Sequence, residues 1–294
     1  MLTKLHIQKA SGEIELFSSD KLRQSLTRSG ADKKIIDLIV DEIEEWLITQ
    51  VKRTKGDKVG EQEDVVSVPS KKIYSMAFSL LRKKTISNAA RYKLKSAMME
   101  MGPTGHPFEH FIGEIYRSLG FETEVGITLQ GQCVTHEVDV IATKKNHQRF
   151  IECKYYQSTG KNANVQVPLY IRSRVDDIIN KRKTNPDFKG YSFSGGVVTN
   201  TRFTLDAEQY GKCSGLHLLS WDYPKGEGLR EIIDRERIFP VTSLSNLTKV
   251  HKKTLMDKGV VSCPQLTRDP SLLNLLNLDK RRRAKVLEEA RDLT

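Results

Sequence analysis

The sequence predicts an α/β protein: a domain with a mixed central sheet and flanking helices, preceded by a mostly helical segment with a β-ribbon and followed by a small all-α module. Three observations predict it. Residues 108–120 carry helical apolar spacing, and strand-like runs follow at 121–129, 135–144 and 148–156. Helix and strand then alternate through YIRSRVDDIINKR, YSFSGGVVTN, LDAEQYG and LHLLSWDYP. On either side, residues 1–100 and 240–294 read as mainly helical, which leaves 104–238 as the α/β domain.

In chain order, LHIQK and EIELF flank a turn at Ala10-Ser11-Gly12 and form the ribbon. Helical spacing follows in SSDKLRQSLTRSG, with Ser18 or Ser19 able to cap, and again in KKIIDLIVDEIEEWL. The segment VKRTKGDKVGEQED (51–64) is polar enough to predict a mobile loop. Helices resume in PSKKIYSMAFSLLRKK, with Pro69 suited to a first turn, and in ISNAARYKLKSAMMEM. The stretch GPTGHP (102–107) marks the domain boundary, and Gly120 stops the helix that follows it. Beyond residue 240, TSLSNLTKVHKKTLMDKG, CPQLTRDPSLLNLLN and LDKRRRAKVLEEARDL are helical, with 11 Lys and Arg against 6 acidic residues.

Composition narrows the function. Hydrophobic content of 38% with 29% charge suits a soluble globular chain. No apolar run is long enough to cross a bilayer and the start lacks a leader, so the expectation is a cytoplasmic protein with no membrane partner. Cys133, Cys153, Cys213 and Cys263 form no CxxC pair, which argues against structural zinc and disulfides. A net charge of +11 favours a polyanionic partner. The absence of GxxxxGK[ST] argues against a nucleotide-driven motor.

Chemistry concentrates in HEVDVIATKKNHQRFIECKYY (136–156). Strand alternation puts Glu152 and Lys154 on one face and Cys153 on the other. Hairpin pairing brings Asp139, on the preceding strand, near Glu152. Two close carboxylates repel, and a divalent cation between them removes the penalty. Hard oxygen ligands select Mg²⁺ (or Mn²⁺) over zinc, and Lys154 could orient an attacking water. The plainer reading is a surface Glu152–Lys154 ion pair.

Asp139, then thirteen residues on Glu152-x-Lys154, resembles the PD-(D/E)xK nuclease signature, in the variant shared by Mrr-like type IV restriction enzymes and archaeal Holliday-junction resolvases. Val138 stands where such enzymes often carry Pro. In HPFEHFIGEIYRSLGFETE, Glu109 lies eleven residues before Gly120, as the family's helical glutamate does, with Glu114 the alternative. The resemblance implies a restriction-endonuclease-like fold and a DNA substrate. It implies a metal held by Glu109, Asp139, Glu152 and the Cys153 carbonyl, with Lys154 beside the water. Gln166, Arg172 and Arg174 fall where the family contacts DNA or supports the site, a solvated helix face being the alternative for the arginines. Tyr155 and Tyr156 could stack on a base or pack at a strand end, while His106, His110 and His136 read as surface or capping residues. Many relatives dimerise to cut both strands, so a homodimer is implied too.

Lys9-Ala-Ser-Gly12-Glu-Ile-Glu15-Leu-Phe17-Ser-Ser-Asp-Lys21-Leu resembles the opening of an ATP-cone, with PSKKIYSMAFSLL and AARYKLKSA as its closing helices. Ala10 departs from the usual Arg. The resemblance implies ATP or dATP as an allosteric ligand: Lys9 and Lys21 on the triphosphate, Glu15 on ribose or base, and Arg91 adding a phosphate contact. A docking domain that has lost its ligand is the other reading. The C-terminal segment is similar to helix-hairpin-helix modules, which implies phosphate contacts by Arg281, Arg282 and Arg283, or else a basic packing module. The expectation is therefore a Mg²⁺-dependent DNA endonuclease restricting foreign or modified DNA and tuned by an adenine nucleotide. The alternatives are a structure-specific repair nuclease and a nucleotide-sensing DNA-binding regulator with a silent nuclease fold.

Overall fold

The computed structural model describes residues 5–9, 12–56 and 67–294, without the side chains of 51–56. It divides between Lys93 and Leu94 into two units, each with its own core.

In the first unit, β1 (His6–Gln8) and β2 (Ile14–Leu16) make the antiparallel ribbon, with Ile7 opposite Glu15. The turn residues Ala10 and Ser11 lie outside the described residues. Ser18 accepts from the Lys21 N–H and caps α1 (Ser19–Thr27), which settles the choice between the two serines. α2 (Lys33–Gly56) buries Ile36, Ile39, Val40, Ile43 and Leu47 along one stripe, the 3.6-residue period that the sequence shows. The helix runs to Gly56 although a loop was expected from Val51. Lys and Arg propagate a helix about as well as Leu, so polarity alone does not stop it. The rest of that expected loop, 57–64, lies outside the described residues.

β3 (Ser67–Pro69) adds a third strand parallel to β1, with Val68 opposite Ile7. Nothing local predicts it: three residues carry no measurable period, and the partner is distant in sequence. Pro69 closes β3 and caps α3 (Ser70–Lys84) from outside instead of entering the first turn. Its ring-fixed φ of −59° with ψ of 127° suits strand and cap alike. α4 (Ile86–Met99) follows, and the division between units falls within it.

The second unit begins with α5 (His106–Ser118), which Gly120 ends at φ +82°. β4 (Glu122–Gln130), β5 (Thr135–Lys144) and β6 (His147–Lys154) form an antiparallel meander. A short β7 (Asn162–Ala163) precedes α6 (Gln166–Lys183), whose crossover sets β8 (Ser192–Thr199) parallel to β6. β9 (Arg202–Phe203) pairs with β7, and α7 (Leu205–Ser214) leads to β10 (His217–Leu219), parallel to β8. The sheet order is β10-β8-β6-β5-β4, the mixed α/β arrangement expected.

One face of this sheet packs Ile141, Phe150 and Val197 against Ile171, Val175 and Ile178 of α6, and Val138 belongs to the same core cluster. Alternation turns Val140 and Ile151 to the other face, where the ring of Phe108 on α5 meets Tyr155, 5.7 Å between centroids.

α8 (Leu229–Arg235), α9 (Lys249–Met256), α10 (Cys263–Arg268) and α11 (Lys280–Leu293) complete the chain. The expected helix 242–259 is shorter, because a 3₁₀ turn takes Val241–Ser243 and Thr248 caps α9. The segment 240–294 clusters with 94–239, and the expected boundary at 100–104 falls inside this unit. Buried Glu114 of α5 accepts from Arg268 at 2.9 Å, and Thr242 donates to the Ala97 carbonyl at 2.8 Å. Fully buried Glu289 of α11 accepts from the backbone N–H groups of Ser245 and Asn246 at 2.6 and 3.0 Å. Among the described residues, no helix is long and apolar enough to cross a membrane.

Candidate active site

The site starts where two strands part. β5 and β6 pair from Lys144–His147 up to Val140–Ile151 and stop there, while β6 stays on β8 through Lys154–Thr199. At the next position, the Asp139 carboxylate replaces the ladder and accepts the Cys153 N–H at 2.7 Å. Its oxygens thereby reach the end of β6, where alternation places Glu152 and Lys154 on one side.

Lys154 Nζ lies 2.8 Å from Glu152 Oε1, and Arg174 of α6 lies 2.8 Å from Oε2. Arg174 also donates to the Glu137 carbonyl and stands over the Tyr170 ring. Glu109 occupies the first turn of α5, with His106 at 3.4 Å from its carboxylate.

The acids sense one another. Burial first, then the Glu152 charge and more weakly Glu109, push the Asp139 carboxyl up to about 7, against the Cys153 N–H and Lys154. Burial also raises Glu109; the charges of Glu137 and Glu152 add to it, and His106 opposes them. Lys154 is raised: burial pulls its ammonium down, and the hydrogen bond and charge of Glu152 outweigh that.

The donors offered here are carboxylate oxygens, since the Cys153 thiol is buried and burial raises it well above its ordinary value. Hard oxygen donors with a surplus of neighbouring negative charge fit a divalent cation such as Mg²⁺. Among the described residues, however, no three acidic, His or Cys side chains already converge at ligating distance, because Glu152 is turned to its two cations.

Several residues named from the sequence are used elsewhere. Glu114 bonds Arg117 and Arg268, which leaves Glu109 as the helical glutamate beside the site. Arg172 pairs with Asp176 and donates to the Ser214 carbonyl, so of Arg172 and Arg174 the latter alone joins the acids. Gln166 is exposed at the start of α6. Arg282 and Arg283 donate to the carbonyls of Asn246 and Leu273, and Arg281 is left exposed. The Tyr155 hydroxyl donates to the Met99 carbonyl, and Tyr156 packs into the α6-side core. His136 pairs with Asp177 at 2.7 Å instead of capping.

The Arg174–Glu152 pair was not foreseen as such. Its one sequence signal is an arginine on the crossover helix after a Glu-x-Lys strand, which marks a basic helix without naming its partner.

In the first unit, Lys9 and Lys21 meet Glu15 at 3.0 and 2.9 Å. Hydrogen bonds from Lys21 first, then Lys9, lower the Glu15 carboxyl. Glu15 and Lys21 line a hollow of about 160 Å³ with Phe17, Tyr74 and Tyr92; Arg91 does not line it, and its guanidinium lies beside Gly30.

Residues 101–223 match the family model described as restriction endonuclease, the Mrr catalytic domain. The parted strands and the acids lie within the matched segment, so residues 101–223 are similar to a restriction-endonuclease catalytic domain. Residues 239–294 match the model "AF1548-like, C-terminal". A protein of Archaeoglobus fulgidus, named only as uncharacterized, is 28% identical over 173 residues, 58% of this chain and 93% of its own. The crystal structure of AF1548, a protein of unknown function, superposes with a TM-score of 0.52 at 25% identity, covering 64% of this chain and 97% of that one. Can2 from Sulfobacillus thermosulfidooxidans, solved with cyclic tetra-adenylate, reaches a TM-score of 0.32 at 15% identity over 76% of this chain and 64% of its own. That last likeness is too low to bear on the nuclease domain.

Proposed function

We propose that this chain is a divalent-metal-dependent DNA endonuclease. The observation that carries the reading is the Asp139 carboxylate where β5 leaves β6, within range of the charges of Glu152 and Glu109, with Lys154 on Glu152. Glu109, Asp139 and Glu152, with the Cys153 carbonyl, would hold Mg²⁺ or Mn²⁺. When bound, such an ion supplies charge neutralisation for the scissile phosphate and lowers the pKa of a water. The chain's own part is orientation. Lys154 holds Glu152 in place and offers an ammonium to a water or a phosphate oxygen. Arg174 holds the other oxygen of Glu152 and would yield it as ligands gather.

DNA follows from the match to the restriction-endonuclease model and from the +11 charge. Restriction of foreign or modified DNA is favoured over structure-specific repair because the matched model is the Mrr catalytic domain. The first unit would bind ATP or dATP as a regulator in the hollow beside Glu15 and Lys21. Calorimetry with ATP that shows no heat in the parent protein would leave a docking domain instead.

Nicking of supercoiled plasmid tests the main reading, on methylated, unmethylated and branched DNA in parallel. Cutting is expected with Mg²⁺, none with EDTA, and none from Asp139→Ala. Cutting that survives Asp139→Ala would refute the assignment; no cutting by the parent protein would favour a silent DNA-binding regulator.

A further inference from the structure

A second cleft has none of Glu109, Asp139, Glu152 or Lys154 in its lining. A cleft of about 430 Å³ opens in the second unit between the two segments that match different family models. Gly102, Tyr155 and Gln157 line it from the nuclease domain, and Lys249, Lys252 and Lys253 from α9. The three lysines are spaced i, i+3 and i+4, so a single helix face turns all of them to the cleft. Glu100 is the one acidic residue of the lining.

The lysines differ in kind. Lys252 is buried, its ammonium 2.6 Å from the Thr242 carbonyl and 3.6 Å from Glu100. A buried ammonium costs desolvation unless it is hydrogen-bonded, and here the Thr242 carbonyl supplies that bond. Lys249 and Lys253 are exposed, and Lys253 pairs with Asp257 at 2.6 Å, a surface contact that a phosphate can displace. The Tyr155 ring lines the cleft from the end of β6, and Met256 adds an apolar side chain from α9. The ring lies against Gly102: a Cβ there would sit 2.7 Å from Tyr155 Cε1, so any other residue would push the ring away. The volume matches small-ligand sites and holds one nucleotide, with lysines on one side and an aromatic face on the other.

We propose that this cleft binds one nucleotide through its phosphate, with Lys249 and Lys253 on the phosphate, Lys252 setting the field behind them, and Tyr155 against the base. The nucleotide is either part of a DNA strand, which rests on the nuclease reading, or a free mononucleotide. The full chain with Lys249→Ala and Lys253→Ala tests it, beside the charge-matched control Lys181→Ala and Lys183→Ala on α6. Both pairs are exposed, so circular dichroism should match the parent protein.

Binding is read in EDTA: fluorescent duplex and single-stranded DNA by anisotropy over a salt series, and AMP and dAMP by calorimetry. With a DNA source, the cleft variant binds at least about tenfold more weakly than the control, and the log–log salt slope for duplex falls by about 2. With a free-nucleotide source, DNA binding equals the control and the heat of AMP or dAMP is lost. Variant and control alike in both arms, or no binding of either ligand by the parent protein, would overturn the proposal. EDTA keeps the acids' chemistry out of the readout. A parent protein that binds here but never nicks plasmid would sink the nuclease reading alone.

Discussion

Asp139 and Glu15 are both carboxylates with lysines nearby, and their surroundings drive them in opposite directions. Burial and the charge of Glu152 raise Asp139 to about 7, while half-buried Glu15 is lowered by hydrogen bonds from Lys21 and Lys9. Lysine proximity is common to both; solvent access and like charge are what differ. Glu15 is satisfied by Lys9 and Lys21. Asp139 keeps its proton up to about pH 7 because burial and the Glu152 charge oppose ionisation, and a divalent ion would take that proton's place. Perturbation of this kind marks chemistry more often than a surface ion pair does.

The largest effect expected from breaking this contrast is on cleavage. Asp139→Ala and Glu152→Gln should each lower plasmid nicking by about a thousandfold or more, and Lys154→Ala by about a hundredfold. Glu15→Gln, at the exposed cluster, should leave the rate unchanged when no nucleotide is added. Equal losses at the two clusters would erase the distinction.

Next comes a buried carboxylate that is already satisfied. Glu289→Ala strips the acceptor from two backbone N–H groups and the Asn246 amide, at a cost of about 2–4 kcal/mol in urea unfolding. Unchanged stability would mean that burial and satisfaction have been misjudged there.

Asp139→Asn in EDTA should do the reverse and stabilise by about 1–3 kcal/mol at pH 8. The sign follows from the raised carboxyl. Between 3.8 and about 7 the folded chain holds a proton that the unfolded chain has released. Stability from this group is therefore complete below pH 3.8 and is lost as pH rises to about 7. The asparagine variant should flatten that slope in chemical denaturation.

The same proton competes with metal. The Mg²⁺ concentration for half-maximal nicking should rise as pH falls from 8 to 6, by up to about tenfold per pH unit. The smallest effect is at Glu15, where Glu15→Gln should leave the melting temperature unmoved, since exposed pairs of this kind contribute little.

Much of the α/β domain is legible in the sequence. The α5 face, the meander and the β8 strand have the periods their environments demand, because one-sided burial repeats every 3.6 or 2 residues. The spacing Asp139 to Glu152-Cys153-Lys154 was legible for the same reason: strand parity alone decides which side chains share a face. β3 was invisible, being three residues long with a distant partner. The end of α2 was misread because polar residues propagate helix as readily as loop. Arg281–Arg283 read as a basic grip, but Arg282 and Arg283 satisfy backbone carbonyls, and a run of like charges does not say which members are spent internally.

Parity and spacing thus belong to the chain as written: which carboxylates can share a side, where helices begin, where glycine must stop one. Partnership came only with the folded molecule. That Asp139 leaves its ladder to take the Cys153 N–H, that Arg174 turns to Glu152 and Arg172 does not, and that α9 sets three lysines across from Tyr155 all depend on segments tens of residues apart. Local sequence repeats with the geometry of a single element. Contacts between elements depend on how their surfaces fit, and no single element's period contains that information.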